Sequence, residues 1–581
     1  MTKSKAPIQS LDDSEESVMS RAAWLISCAA IFFVAAVLRL YDLNLVPLHH
    51  DEGVNGNFLV RLVREGYYHY DPANYHGPTL YYFSAAFPWL MRFFGGPNAQ
   101  NHYGLSTVAI RCVPALFGLA TVLLVFTLRK NLGTVATLAA AFLLTVSPGA
   151  VYLSRYYIHE TLFVFFTLGI VVALVKYYEL AQPILLVLAM VSAALLFATK
   201  ETAVISVIVL LLAFVITLAY HAFWRASAGN KNWKTNSGSE SFAGFIDKAG
   251  GGWLALWVGL SIFAFLVVYI LFYSSFRTNP QGIADSLRTF QFWTKTGKEA
   301  HVHPPATYIW WLMEQESPLL ILGAMGAIVA VLRPSRPMAL FVALWAFGLT
   351  VAYSLIGYKT PWLQLNFVVP LALSSGVAIG WLFDFLKESE IGRSRRWVAV
   401  VAVLLIAIGP LPGVVRIFDQ AAYNAAANGL VKGLKDAPFN GTTFIPGAQT
   451  IDLNFINYDN DDRYYVYVYA HTRRETQQLV AKIDEIAALT HQGDQTGITI
   501  VSPDYWPLPW YLRDYKRVGY HGHMSASNEP IIIAKSDQTQ EVEATFGDRY
   551  VQVQSGANPA GTFPLRPGVD LLLYTRRELV R

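Results

Sequence analysis

Charged residues and cysteine are both scarce in this chain. Only 14% of its 581 residues are charged and 54% are hydrophobic, whereas about 25% of the residues in soluble domains are charged. An ordinary soluble globular protein is therefore excluded. The formal net charge of +4 gives no indication of a nucleic-acid partner. Cys28 and Cys112 both fall in apolar runs, so the sequence predicts neither a disulfide framework nor a thiolate metal site.

The start of the chain lacks the features of a cleavable signal peptide. The segment before the first apolar run contains an acidic cluster, Asp12, Asp13, Glu15 and Glu16. A signal peptide would begin with basic residues and end at a small-residue cleavage site, and no such site follows this run. We therefore expect residues 1–20 to form a solvated cytoplasmic tail and the first run to be a permanent span.

Long apolar runs are abundant. A run of ~20 residues can cross a hydrocarbon core of ~30 Å, and we predict about eleven spans. The predicted spans are 22–41, 108–128, 133–152, 161–178, 183–199, 204–220, 253–272, 319–332, 338–357, 367–385 and 397–415. The predicted fold class is a polytopic α-helical membrane protein with about 11 transmembrane helices, followed by an α/β domain.

The placement of Lys and Arg predicts the orientation of the spans. Positive residues near span ends are retained on the cytoplasmic side, and with the N-terminus inside every predicted cytoplasmic loop carries at least one. These residues are Lys3, Lys5, Arg21, Arg129, Lys130, Lys176, Arg225, Lys231, Lys234, Lys248, Arg333, Arg336, Lys387, Arg393, Arg395 and Arg396. We expect a multi-pass plasma-membrane protein with loops 42–106 and 274–317, and all residues after Arg416, outside the cytoplasm.

Three parts follow along the chain: the tail 1–20, a transmembrane region 21–416 with its first external loop 42–106, and an extracytoplasmic domain 417–581. The last part is predicted to be α/β. Alternation of Tyr and Val predicts a strand at 463–470.

Further elements are predicted in the same domain. Thr472 and Glu475 match a capping box that opens a helix through Ile483 and Ile486. Strand-like runs follow at 497–502, 530–534 and 569–574.

Two adjacent carboxylates, Asp51 and Glu52, follow the first predicted span. Held near the membrane surface, they are candidates for taking a proton from an acceptor or for binding a metal. A solvated loop start with Gly53 as its turn explains the same residues. The stretch 57–65 places apolar residues on one helical face and predicts a short helix along the interface.

Charged pairs lie at two further external joins. Arg155 and Glu160, with His159 beside them, lie between the third and fourth spans, and Lys200 and Glu201 end the fifth. A structural ion pair is the alternative explanation for Arg155 and Glu160. Snorkelling at the membrane boundary is the alternative for Lys200 and its neighbour.

A fourth polar set, Tyr358, Lys359 and Trp362, lies between the ninth and tenth spans. Its lysine could meet a phosphate as a compact cation. The predicted topology puts all four sets on one face of the membrane. Independent solvated loops would not require that concentration, which favours a common site.

Histidines also lie in the same external loops. His76 lies in a polar segment of the first loop, and His301 and His303 stand two residues apart. The pair His301 and His303 suggests a zinc site, but no third ligand is evident by spacing. An interfacial loop is favoured and no metal site is predicted.

These segments resemble the GT-C superfamily of lipid-linked glycosyltransferases. Within it the chain is similar to protein O-mannosyltransferases and to the aminoarabinose transferases of lipid A (glycosyltransferase family 39-like), and most like a prokaryotic branch named for association with flippase activity. The likeness includes the pair at 51–52, the many spans followed by an external domain, HGP at 76–78, SRYYIHE at 154–160, ATKET at 198–202, KTPW at 359–362 and WPLPWYLRDY at 506–515.

The resemblance implies an inverting transfer of a mannose-like hexose from a polyprenyl-phosphate carrier. Asp51 would be the general base, with Glu52 and Glu160 as further catalytic carboxylates. Relatives often have aspartate where this chain has Glu160. The residues expected to bind the donor phosphate or the substrate are Arg155, Lys200, Lys359, His76, His159, Tyr358 and Trp362. A leaving phosphate needs little acid help, which fits one base with several cations.

The implied partners are the lipid-linked sugar, the bilayer, and a protein, glycan or lipid acceptor. The resemblance implies no definite cofactor, and a divalent metal is left open. A non-catalytic transporter or flippase-associated protein is the rival, because lipid paths also need polar groups in the membrane. A purely structural anchor for the external domain is a second rival. Neither rival explains the pair Asp51 and Glu52.

Overall fold

The computed structural model describes residues 18–74, 76–95, 104–227, 251–299, 301–334, 336–407, 448–456, 458–459 and 465–580, apart from 557 and 559. The predicted tail 1–20 lies outside this part except for its last three residues. Residues 417–447 of the predicted external domain also lie outside it.

The first two thirds of the chain are helical. Helices α1 to α8 are Arg21–Leu40, His50–Glu65, Thr79–Gly95, Thr107–Phe126, Arg129–Leu132, Thr134–Val146, Pro148–Ser154 and Glu160–Leu180. Helices α9 to α17 are Ile184–Phe197, Ala203–Ser227, Gly251–Tyr273, Gln281–Glu299, Thr307–Gln315, Ser317–Leu332, Pro337–Leu355, Leu365–Glu388 and Arg393–Ala407.

The predicted polytopic helical fold is confirmed, with fewer clear spans than expected. Within the described ranges, 7 helices are long and apolar enough to cross a membrane, or up to 9 if each of two bent pairs is one span. The bent pairs are α6 with α7 and α13 with α14. The predicted span 183–199 is helix α9, which has only 14 residues, and the last predicted span is described only as far as residue 407.

A proline explains the bend of 61° between α6 and α7. Pro148 has no N–H to donate and its ring clashes with the carbonyl four residues earlier. The carbonyls of Leu144 and Thr145 accept instead from the buried guanidinium of Arg39, each at 3.1 Å. A cation inside the first span thereby completes the hydrogen bonding of a broken one.

The first predicted external loop contains helices α2 and α3. The interfacial helix predicted at 57–65 begins seven residues earlier, at His50. Its N-terminus is a capping box: the His49 ring accepts from the Asp51 N–H, and the Glu52 carboxylate accepts from the His49 N–H at 3.0 Å. Two of the N–H groups exposed at the helix start are thereby satisfied.

The C-terminal region folds around a six-stranded sheet. Its strands β1 to β6 are Gly497–Ile500, Arg517–Tyr520, Ile531–Lys535, Tyr550–Val553, Phe563–Arg566 and Val569–Arg576. The order is β2-β1-β3-β6-β4, with β5 also on β6. The pairs β1–β2 and β1–β3 are parallel, and β6 is antiparallel to its neighbours, with Ile532 opposite Tyr574.

Helices cover both faces of the sheet, as the alternation of strand residues requires. On one face, Ile531 and Ile533 pack with Ile483 of helix α19 (Thr476–Thr490). On the other, Ile532 packs with Phe546 of helix α21 (Thr539–Phe546). The remaining short helices are α18 (Ala448–Ile451) and α20 (Leu508–Tyr511). The strands predicted at 497–502, 530–534 and 569–574 are present.

Two predicted details of this region are wrong. Residues 465–470, the described part of the predicted strand 463–470, are not in a strand. Their tyrosines alternate because Tyr467 packs on Gly149 and donates a hydrogen bond to Glu316 in the helical region. The predicted capping box is also absent: α19 begins after Glu475, which makes no side-chain cap bond.

The topology remains a prediction that reporter fusions can check. We expect fusions at Lys130 and at Arg393 to report a cytoplasmic location, because basic residues cluster there. A fusion after Arg581 should report an external one. An alkaline phosphatase and a green fluorescent reporter at each position provide opposite signals. Cytoplasmic fluorescence after Arg581 would contradict the predicted orientation and the common face of the four polar sets.

Candidate functional site

Asp51 lies in the first turn of α2 and its carboxylate is accessible. Its side chain is 39% exposed, and His49 Nδ1 lies 3.9 Å from one of its oxygens. Among the described residues, none donates a hydrogen bond to this carboxylate. Asp51 is therefore free to accept a proton or a hydrogen bond from an incoming molecule.

Glu52, the next residue, is fully buried and its acceptor positions are filled. Arg111 donates from Nε and Nη2 at 2.7 and 2.6 Å, and the N–H groups of Tyr157 and His49 donate at 2.8 and 3.0 Å. A carboxylate offers about four lone-pair sites, so Glu52 has none left for a substrate. This geometry favours a structural task over the predicted catalytic one.

His49 connects α2 with two other segments. Its Nδ1 accepts from the Asp51 N–H, so the hydrogen sits on Nε2, which donates to the Tyr469 carbonyl at 3.0 Å. The His49 ring stacks on His471 at 5.5 Å and lies 6.1 Å from Trp362. Burial holds the pKa of His471 well below its usual value, so this imidazole is neutral.

Lys200 and Glu160 form a buried ion pair with Nζ and Oε1 2.5 Å apart. Beside it, His76 Nδ1 lies 3.3 Å from the Glu201 carboxylate. The HGP and ATKET segments that carry these residues are joined through their backbones, with Gly77 N donating to Thr199 O at 3.0 Å. Lys200 and the two glutamates thus occupy one polar cluster, as the sequence predicted.

His159 completes this cluster. Its Nε2 donates to the Gly77 carbonyl at 3.0 Å, and its ring lies 5.0 Å from the His76 ring. Within the described part of the chain, its Nδ1 has no hydrogen-bond partner. Burial holds the pKa of His159 well below its usual value. The imidazole is therefore neutral and presents an unused acceptor atom.

Lys359 is buried but has no carboxylate partner among the described residues. Its ammonium donates to the carbonyls of Ile356 and His303, the second at 3.2 Å, and lies 5.9 Å from the Tyr308 ring. Burial lowers the pKa of Lys359. An ammonium has three donors, so one donor and an uncompensated charge remain. Tyr358 lies within electrostatic range of Lys200.

Arg155 is not part of the Lys200 cluster. Its guanidinium donates to the carbonyls of Tyr41 and Asp42, which follow α1, and packs on the Phe455 ring at 4.6 Å. Burial lowers its pKa to about 10. Its described contacts include neither Lys200 nor Lys359. Of the three cations predicted to bind the donor phosphate together, only Lys200 and Lys359 therefore remain candidates for a common site.

The described residues contain no group of three His, Cys, Asp or Glu side chains that could hold a metal ion. His301 Nδ1 instead lies 3.2 Å from the Tyr469 hydroxyl, and the His303 ring lies against Trp311. Both histidines of this pair thus contact aromatic side chains.

The C-terminal region docks directly on α2. A Cβ at Gly53 would lie 2.6 Å from Pro507, and one at Gly56 would lie 2.5 Å from the Trp510 ring. Only glycine permits this approach. The Leu48 N–H, just before α2, donates a hydrogen bond to the Tyr511 hydroxyl oxygen at 2.8 Å. The motif at 506–515 is therefore an interface with the helix that carries Asp51.

Sequence reasoning missed several residues that build the site. Arg39 and Arg111 lie inside predicted spans, where a cation is costly without partners. Their position inside apolar spans was the sequence feature that could have indicated buried partners. Both arginines are buried and hydrogen-bonded. His471 gave no signal, because a single histidine in a polar segment has many explanations.

Known proteins resemble the chain both in sequence and in fold. Residues 86–229 match the family model described as dolichyl-phosphate-mannose-protein mannosyltransferase. No curated protein sequence matches significantly.

Among solved structures, ArnT from Cupriavidus metallidurans bound to undecaprenyl phosphate has a TM-score of 0.55 and 12% identity, over 95% of this chain and 98% of that one. The same protein in the apo state has a TM-score of 0.54 and 15% identity, over 96% and 98%. The Archaeoglobus fulgidus oligosaccharyltransferase has a TM-score of 0.49 and 13% identity, over 94% and 74%. Residues 86–229 are thus similar to the dolichyl-phosphate-mannose-protein mannosyltransferase family, and the chain has the same fold as ArnT.

Proposed function

We propose that this protein is a membrane glycosyltransferase. It transfers a mannose-like hexose from a polyprenyl-phosphate carrier to an acceptor outside the cytoplasm, with inversion at the anomeric carbon. Asp51 is the general base. The donor phosphate lies on the side of Lys359 and the Lys200 cluster.

One observation carries this proposal: two neighbouring carboxylates have opposite environments. Glu52 is saturated by hydrogen bonds, whereas Asp51 is 39% exposed and accepts none from the described residues. A general base must reach the proton that it removes. Asp51 meets that requirement, and the saturated Glu52 fixes the start of α2 beneath it.

The Lys359 segment and the base meet at His49. Its ring contacts Trp362, three residues after Lys359, and its backbone precedes Asp51 by two residues. Base and cation can therefore act on opposite ends of one reacting bond. The ArnT structure with the same fold was solved with undecaprenyl phosphate bound, which supports a lipid-phosphate donor here.

The chemical step is a single displacement. The acceptor hydroxyl oxygen forms a bond to the anomeric carbon, and its proton passes to Asp51. The bond from that carbon to the phosphate oxygen breaks, and the electron pair leaves with the polyprenyl phosphate. Developing charge on the leaving phosphate is stabilised by the ammonium of Lys359.

Acceptor-dependent release of polyprenyl phosphate tests the function. The purified protein in nanodiscs would be given a radiolabelled polyprenyl-phosphate hexose together with a membrane extract as acceptor. Label should move from the lipid to the acceptor with one equivalent of polyprenyl phosphate released. If the protein binds or flips the lipid but never cleaves it, the non-catalytic alternative is correct.

Lys359→Ala should weaken donor binding by about ten- to a hundredfold. The reason is that a charge-assisted contact is worth roughly 1.5 to 3 kcal/mol. Affinity would be measured with the labelled donor in detergent, alongside the melting temperature. Lys387→Ala, an exposed lysine at the other end of α16, is the matched control and should bind normally.

The lowered pKa of Lys359 predicts that donor affinity depends on pH. The ammonium is present below its pKa, and burial lowers that pKa. Donor affinity should therefore fall as pH rises, beginning below the pH at which an ordinary lysine loses its proton. Lys359→Arg should retain affinity to higher pH, because arginine stays charged. A pH-independent affinity in the wild type would mean that another group holds the phosphate.

A further inference from the structure

Four aromatic rings form a continuous row across the junction of the sheet with α2. Between ring centroids, Tyr520 at the end of β2 lies 5.2 Å from Tyr505, Tyr505 lies 5.9 Å from Trp506, and Trp506 lies 5.9 Å from His50. His50 directly precedes Asp51. The row therefore leads from an edge of the sheet to the candidate base.

The row is accessible and held in place. None of its four residues is buried, and Tyr520 is 36% exposed. Tyr505 packs against the core on one face of the sheet. Trp506 is fixed because its neighbour Pro507 packs on Gly53. Rings fixed from behind and open in front lose little entropy when a ligand covers them.

A network of charged side chains borders the same row. Asp504 pairs with Arg566 and, at 3.2 Å, with Lys535. The three side chains are 27%, 21% and 23% exposed. His50 is within electrostatic range of Asp504 and Arg566. The pairing fixes hydrogen-bond donors and acceptors beside the rings without a large net charge.

This combination matches the two kinds of surface on a sugar ring. The C–H hydrogens of a pyranose form an apolar face with slight positive charge, which stacks on the negative face of an aromatic ring. Its hydroxyl groups donate to carboxylates and accept from guanidinium or ammonium groups. Aromatic rings bordered by fixed polar groups supply partners for both.

We propose that the row from Tyr520 to His50 is a binding subsite for a saccharide acceptor. The acceptor chain lies along the rings, with the hydroxyl of its terminal sugar at Asp51. This inference rests on the proposed function and specifies its acceptor as a carbohydrate.

A peptide acceptor fits these observations less well. Extended peptides bind by adding a strand to a free sheet edge. The edge strand that carries the start of the row, β2, has only four residues and begins with the charged Arg517. The aromatic row crosses from this strand to α2 instead of following its edge.

Saturation-transfer NMR on the full chain in nanodiscs tests the subsite. The probes are mannotriose, cellotriose and maltotriose. Magnetisation should pass to at least one of them, most strongly to the C–H protons of one ring face. Tyr520→Ala and Tyr505→Ala should each weaken binding about tenfold. Tyr67→Ala, an equally exposed tyrosine outside the row, should leave binding unchanged.

Three results would overturn the proposal. The first is no magnetisation transfer to any of the three saccharides, and the second is saccharide binding in Tyr520→Ala and Tyr505→Ala that equals that of the wild type. The third is that a serine-containing peptide binds to the row and the saccharides do not. Slow cleavage of the lipid-linked donor by water, measured on the same samples, separates this question from the proposed function. Tyr67→Ala, outside the row, should keep that cleavage. Donor cleavage without saccharide binding defeats the subsite alone, and row-dependent binding without any donor cleavage defeats the enzyme assignment alone.

Discussion

Asp51→Asn is expected to lower the rate of sugar transfer by about 10²- to 10⁴-fold, the usual contribution of a positioned general base. Asparagine has nearly the same shape, but its amide cannot accept the acceptor's proton. Since no described residue donates to the Asp51 carboxylate, folding should change little. Single-turnover transfer from the labelled donor measures the rate, and the melting temperature measures folding.

Glu65→Gln is the matched control for this variant. Glu65 is an exposed carboxylate at the other end of the same helix, and its loss should leave turnover unchanged. Donor affinity should also stay the same in Asp51→Asn, because the phosphate is bound on the other side of the reacting bond. Near-normal turnover in Asp51→Asn would remove this residue from the role of base.

Glu52→Gln is expected to destabilise the protein strongly, by about 3 to 5 kcal/mol, because it leaves the buried charge of Arg111 without a counter-charge. Sequence resemblance alone predicts a smaller effect than at Asp51 and on turnover only. The structure shifts the expected loss to stability. Unfolding by heat or denaturant in detergent, with the yield of extracted protein, would measure it.

The double variant Glu52→Leu with Arg111→Met separates structure from catalysis. Replacing both members of a buried ion pair with apolar residues is often nearly neutral, so the double variant should be clearly more stable than Glu52→Gln. In Glu52→Gln, which keeps an oxygen at this position, transfer per folded molecule should stay close to that of the wild type. If Glu52→Gln folds like the wild type yet loses turnover, Glu52 takes part in the chemistry after all.

The sequence could not decide which of the two adjacent carboxylates is accessible to a substrate and which is buried. Asp51 and Glu52 have the same charge and differ by one methylene, and both follow the first apolar run. Their difference depends on Arg111, which lies 59 positions from Glu52, and on the N–H of Tyr157, which lies 105 positions away. Spacing along the chain contains no information about such partners.

The binding partners of the cations also could not be predicted from the sequence. The neighbouring charges Lys200 and Glu201 suggested a local pair, but Lys200 binds Glu160 and Glu201 binds His76. Arg155 was expected at a phosphate and instead binds backbone carbonyls that follow α1. In each case an ionic group in a poorly hydrated place took the nearest partner in space.

The sequence by itself determined the membrane class, the positions of the apolar helices and three of the six strands of the sheet, β1, β3 and β6. These features follow from hydropathy and periodicity, which are local properties of a segment. Only the tertiary structure decided that Glu52 is saturated while Asp51 is open, that Lys359 has a spare donor, and that the sheet region brings an aromatic row to α2. Those outcomes depend on which distant segments pack together, because the partners of a buried charge or ring are chosen by three-dimensional proximity.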